Sequence, residues 1–192
     1  LIACVGMAGL AQEKVEPQPT NGAIPRGFRM FLVTDARYDK SEERNRVGKL
    51  HDPVTEHGLF SVIGVWSRTI PTNKEDPVVK VLDKVEELAK KYQTKRVGAF
   101  AAFISLKKDF EDDDDRDKRI AEIASISKDM KFVQTGLAEE QSAQNTAWQL
   151  DAKNEDMTFK NQITVVIYHR FKIVGRWDFP ADKPPTDADL DT

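Results

Sequence analysis

Two uninterrupted apolar runs constrain this chain more than anything else in it. Leu59 to Trp66 (LFSVIGVW) and Val97 to Leu106 (VGAFAAFISL) carry no charge. A strand that is apolar at consecutive rather than alternate positions is covered on both faces. Between the two runs lies the clearest helix signal. Asp76-Pro77 supplies an N-cap and a proline at the first helical position. Val78, Val81, Leu82, Val85, Leu88 and Tyr92 follow at helical spacing. Glu86–Lys90 and Glu87–Lys91 are spaced as i,i+4 pairs on the wet side. A buried strand, a helix and a second buried strand require a layered α/β fold with right-handed crossovers.

The flanking segments extend this alternation. Phe28 to Thr34 predicts a first strand. Glu43 to His57 predicts a helix with Val47, Leu50 and Val54 on one face and a kink at Pro53. Acidic Glu111 to Asp115 leads into a helix bearing Ile120, Ile123, Ile126 or Ser127, and Met130, because acids suit the partially positive start of a helix. Phe132 to Leu137 predicts a short strand, and Glu140 to Leu150 a helix with Ala143, Ala147 and Leu150. Ile163 to Tyr168 and Phe171 to Phe179 predict a hairpin across His169-Arg170. Lys183 to Asp187 caps a last helix that Thr192 cuts short, so further chain is expected beyond it. The expected order is β-α-β-α-β-α-β-α-β-β-α, with parallel strands first and an antiparallel hairpin near the end.

A chain of 192 residues suits one domain with a real core. Mean hydropathy is −0.53 and net charge −3. Arg and Lys are spread among acids, so no nucleic-acid partner is expected. The one cysteine, Cys4, permits no internal disulfide. Leu1 to Ala11 (LIACVGMAGLA) is too short to span a bilayer and matches the apolar core and small-residue end of a secretory signal, with cleavage before Gln12. Export to the periplasm or the extracellular space is therefore expected. No Met or basic stretch precedes the run, so the natural start is expected upstream. Lipidation of Cys4 after Leu1-Ile2-Ala3 is a rival reading, but the residues after Cys4 stay apolar where a tether turns polar. A short buried N-terminal element is a third reading. Glu13 to Arg26 holds three prolines and a glycine. The expected division is a signal remnant over 1–11, a linker over 12–26 and a folded domain over 27–192.

Few residues point to chemistry. The histidines are His51, His57 and His169. His51 and His57 are off the i,i+4 spacing of a helical metal pair. With Asp52 and Glu56 nearby, a loose metal site competes with polar residues capping or decorating a helix, and the second reading is preferred. The Glu111–Asp115 run lacks the alternating ligands and glycine of a calcium loop. No G-x-S-x-G, G-x-G-x-x-G or phosphate loop is present, so no nucleophile elbow or nucleotide cofactor is indicated. Trp66 and Trp177 read as core.

SVIGVWSR (Ser61 to Arg68), the helix over Pro77 to Tyr92 and ITVVIYHRFKIVGRW (Ile163 to Trp177) together resemble the thioredoxin superfamily, in the manner of exported bacterial thioredoxin-like and peroxiredoxin-like proteins. The resemblance covers about Phe28 to Thr192 and rests on element order and spacing. It implies a three-layer α/β/α sandwich with a mixed sheet ending in a C-terminal antiparallel hairpin. Lys172, Val174, Gly175 and Arg176 match the G-K-x-V-G-R tail of the family, with Phe171 in place of the turn glycine. The chemistry of the family needs a thiolate at a helix N-terminus and a second thiol one turn on. Here the equivalent window, Ser67 to Pro77, beginning Ser67, Arg68, Thr69, Ile70, holds no cysteine. A second window, His51 to Glu56, has Asp52 and Thr55 at the cysteine spacing. The cis-proline of the family falls near Gln162. Copper-carrier relatives use a Cys pair plus His, so their site does not carry over. The resemblance thus implies a non-catalytic domain without cofactor that binds or scaffolds an unknown protein or peptide. Its groove would lie between the end of the Leu59–Trp66 strand, the Ser67–Pro77 loop and the Gln162 segment. The alternative is an enzyme or metal carrier with a non-thiol site around His51 and His57.

Overall fold

The computed structural model describes residues 22–25, 27–38, 42–140, 143–150 and 161–191. The expected export signal, with Cys4, lies outside the described residues. Among the described residues seven strands form one mixed sheet: β1 (Met30–Thr34), β2 (Leu50–His51), β3 (Ser61–Ser67), β4 (Gly98–Ser105), β5 (Gln134–Glu139), β6 (Ile163–His169) and β7 (Lys172–Phe179). Their order is β2-β1-β5-β4-β3-β6-β7. β3, β4 and β5 run parallel in the middle. β4 is buried along its whole length, and β3 from Val62 onward. The two charge-free runs therefore became the strands covered on both faces.

Alternation along β3 divides the core in two. Ile63 and Val65 face α2 (Pro77–Lys91) and α4 (Asp113–Ser127), packing with Val78, Val81, Leu82, Val85 and Ile123. Val62 and Trp66 face the other way, toward α1 (Pro53–His57) and the segment after α5 (Ala143–Ala147). Trp66 is the centre of that side. It meets Phe28 and Phe100 edge-on at 5.5 and 5.3 Å and lies 4.9 Å from Trp148. Edge-on rings bring a positive rim to a negative face, which adds to the area they bury. Helices on both faces of a mixed sheet make the three-layer sandwich.

Caps explain where the long helices begin. Asp76 accepts the Val78 N–H ahead of Pro77, and Asp112 accepts the Asp115 N–H at the start of α4. Thr186 and Asp189 form a reciprocal capping box on α6 (Asp187–Leu190). A short α3 (Lys107–Glu111) precedes α4.

Several expectations change. β1 is antiparallel to β5, not part of a parallel set. The helix expected over Glu43 to His57 shrinks to α1. Before it, Gly48 at φ 80° reverses the chain, its N–H donating to the Leu32 carbonyl, and Leu50-His51 pairs with β1. Leu50 is accordingly exposed. The helix expected to Leu150 is only α5. The hairpin turns on Arg170-Phe171, both left-handed (φ 49° and 60°), so Phe171 adopts the conformation that a glycine usually supplies. Glu86 does not pair with Lys90. Its carboxylate accepts the N–H groups of Lys131, Phe132 and Val133 at 2.8–3.2 Å and ties α2 to the start of β5. Gly22 to Ile24 lies along β7, with the Ile24 N–H donating to the Phe171 carbonyl.

Candidate functional site

The carboxyl ends of β3, β4 and β5 border a cavity of about 740 Å³. Ligands of open α/β sheets gather at such ends. β3 delivers Arg68, Thr69 and Ile70 to it, β4 delivers Ser105 and Leu106, and Gln162 closes one side. Ile70 is half-buried and Leu106 is 45 % exposed, giving an apolar lip. Asp109, Arg119 and Glu140 give a charged one, with Arg119 paired to Asp109 at 3.4 Å.

Ser67 folds the chain back on itself. Its hydroxyl donates to the Thr69 carbonyl at 2.7 Å and accepts the Thr69 N–H at 3.2 Å. The Arg68 N–H then donates to the Gln162 carbonyl at 3.0 Å, while the Gln162 N–H donates to Phe179 at 2.8 Å. Both main-chain groups of Gln162 are thus spent inside the sheet, and no peptide bond among the described residues is cis. The Arg68 guanidinium reaches the other way, to the Leu150 carbonyl.

The second window stands apart. Asp52 caps α1, accepting the Thr55 N–H at 3.1 Å and its hydroxyl at 2.6 Å, and also accepts the Phe28 N–H at 3.1 Å. α1 leads into the amino end of β3. Asp52 and Thr55 are therefore about 20 Å from Ser67 along a strand rising roughly 3.3 Å per residue.

Around that amino end lies a cluster that sequence reasoning found only in part. Arg37 clasps Asp35 through Nε and Nη2, each at 2.8 Å, and its Nη2 also reaches Glu56 at 3.0 Å. His51 Nε2 lies 2.8 Å from Glu56, and the Gln134 amide donates to both carboxylates at 3.0 Å. Burial raises the Glu56 carboxyl, but the bond with His51 and the charge and bonds of Arg37 outweigh it, and its pKa falls to about 2. Burial also opposes the Arg37 charge, yet Asp35 and Glu56 push its pKa up.

His57, expected to decorate a helix, is instead buried against Gly98. Burial and then the Arg37 charge push its pKa down to about 4, so it is neutral at pH 7. Among the described residues its Nε2 and Gln134 Oε1 have no other partner, and the Gln134 side chain acts on the ring. The metal alternative gains little. His51 and Glu56 meet, but Asp52 is occupied as a cap. Among the described residues no three His, Cys, Asp or Glu side chains are placed to hold a metal ion. Asp35, Arg37 and Gln134 were missed. The usable signal was Asp35-Ala36-Arg37, an acid and a base placed directly after a buried strand.

Among the described residues no helix is long and apolar enough to cross a membrane. Neither a protein-family model nor a curated protein sequence matches the chain. Solved structures do. AhpC of Mycobacterium tuberculosis aligns at 9 % identity and a TM-score of 0.56 over 90 % of this chain and 89 % of its own. A putative thioredoxin reductase from Burkholderia cenocepacia aligns at 10 % and 0.56 over 94 % and 98 %. A DsbF homologue from Corynebacterium diphtheriae aligns at 12 % and 0.50 over 96 % and 92 %. At such identities the likeness is one of architecture, and with the mixed sheet and its closing hairpin it establishes that the chain has a thioredoxin-like fold.

Proposed function

We propose that this is an exported thioredoxin-like domain that holds a segment of a partner protein at the carboxyl ends of its parallel strands and carries out no dithiol exchange. The observation behind it is the cavity of about 740 Å³ beside Ser67–Ile70 and Gln162, bordered by Ile70, Ile104 and Leu106 and by no cysteine. Dithiol exchange needs two sulfurs, and the chain has one, Cys4. Export rests on the sequence of Leu1–Ala11 alone.

Peptides selected from a random display library are expected to lose binding when Ile70→Asp and Leu106→Asp charge the apolar lip. Insulin reduction should stay at the blank rate, and the purified protein should carry no stoichiometric metal. Equal binding by the double variant, or a library that yields no binder, would contradict the reading. One metal per chain would favour the alternative at His51 and His57. Mass spectrometry of the secreted protein should find Gln12 at the mature N-terminus, and a lipidated Cys4 would replace cleavage with anchoring.

A further inference from the structure

The connections at the amino ends of the parallel strands carry a charge opposite to that of the whole chain. Residues 58–60 lead into β3, 92–97 into β4 and 128–133 into β5, and the 170–171 turn joins them because His169 pairs with Ser61. With the adjoining Lys91 and Lys172 these segments hold seven Lys and Arg side chains. Two acids stand among them, Asp129 and the Glu86 carboxylate that accepts the amides of Lys131, Phe132 and Val133. None of the seven cations pairs with a carboxylate among the described residues. Asp35, Arg37 and Glu56 behind them still leave an excess of four positive charges, in a chain of net charge −3. Residues 38–49 after β1 add four bases and three acids. At the other end of the sheet, residues 106–116 hold six acids and three bases.

Apolar side chains are exposed among these cations. Of the eight large hydrophobic side chains exposed among the described residues, Leu59, Phe60, Tyr92 and Phe171 stand here, and none of the four belongs to either core. Lys91 and Lys95 lie 5.3 and 5.6 Å from the centre of the Tyr92 ring, and Arg96 lies 5.4 Å from that of Phe60. Leu59 is 63 % exposed. Phe171 holds a left-handed conformation (φ 60°) that a glycine would adopt without strain.

We propose that this end of the sheet rests on the surface of an anionic phospholipid bilayer. Unpaired Lys and Arg are drawn to anionic headgroups, and exposed Leu and Phe side chains bury area below them. A Tyr ring rimmed by ammonium groups suits the headgroup level, where one end of the residue is apolar and the other wet. The phosphates of a nucleic acid would use the same cations and leave Leu59 in water. The cleft of the proposed function lies at the opposite ends of these strands, turned away from the bilayer, and neither site depends on the other.

Sedimentation of the purified protein with vesicles tests this, using phosphatidylcholine alone or mixed with phosphatidylglycerol, at about 0.1 M salt and again at about 1 M. Partition into the mixed vesicles is expected to exceed partition into the neutral ones at least tenfold, and to fall at high salt. Lys95→Gln, Lys131→Gln and Arg170→Gln together should weaken it at least tenfold. Leu59→Ser and Phe171→Gly should each weaken it severalfold with the charge unchanged. Both side chains lie outside the two cores, so these variants keep the fold. Peptide binding in the cleft should be the same in all of them. The proposal fails if mixed vesicles bind no more protein than neutral ones, or if the triple variant binds like the parent. It also fails if duplex DNA or polyglutamate binds as well as the mixed vesicles while Leu59→Ser and Phe171→Gly change nothing, since the face would then read charge alone.

Discussion

Gly98 has no side chain because the His57 ring occupies the space. A Cβ on Gly98 would stand 2.4 Å from Nδ1 and 2.5 Å from Cγ of that ring. His57 is buried and cannot swing into water, so Gly98→Ala must displace α1 or β4. The expected cost is about 1–3 kcal/mol, read as a lower urea midpoint. The same burial sets a pH dependence. Between pH 6.5 and about 4 the unfolded chain protonates His57 and the folded chain does not. Stability should therefore be full above pH 6.5 and fall as pH drops through that window, by up to about 3 kcal/mol at 1.36 kcal/mol per unit. Urea midpoints at pH 7, 6 and 5 test this, and a curve as steep in His57→Gln as in the parent would contradict it. Glu56 acts lower, between its ordinary 4.5 and about 2, again losing stability on acidification. None of this was legible in the sequence. The position of His57 depends on a glycine in β4, and the cluster around Arg37 is assembled from residues 35–37, 51–57 and 134.

Elements were easier to read where burial covers both faces or where a cap is written into the chain. β3, β4, α2 and the closing hairpin follow from LFSVIGVW, VGAFAAFISL, Asp76-Pro77 and FKIVGRWDF with boundaries shifted by a few residues. The failure over Glu43–His57 has a local cause. Val47, Leu50 and Val54 have helical spacing, but the left-handed Gly48 and Pro53 break the ladder, and the edge of β1 offers main-chain partners instead. Glu86 was misread because three exposed or half-buried N–H groups outbid a surface lysine. A carboxylate gains more from several amides than from a screened ion pair. Glu86→Ala should cost about 1–3 kcal/mol, since it leaves the Lys131, Phe132 and Val133 amides without their acceptor. Lys90→Ala should change stability by less than about 0.5 kcal/mol. Equal effects in chemical denaturation would show that Glu86 acts only as a surface charge.

The two ends of the sheet differ in chemistry as well as in position. The carboxyl ends carry a wide cleft with an apolar lip at Ile70 and Leu106, and the main chain of Gln162 is sealed beside it. The amino ends carry a smaller cavity lined by Arg37, Glu56, His57, Phe60 and Arg96. Element order was enough to locate the first, because the strand that runs into Ser67 and the segment at Gln162 are neighbours in any sheet of this order. Nothing in the order locates the second. The proposed recognition of a polypeptide belongs to the first of these, at the carboxyl ends. The most direct measurement is an amide-shift map of the labelled domain with a library-selected peptide. The shifts are expected at Arg68, Thr69, Ile70, Ser105, Leu106 and Gln162. Shifts gathered instead at Arg37, Phe60 and Arg96, with the cleft silent, would contradict the account.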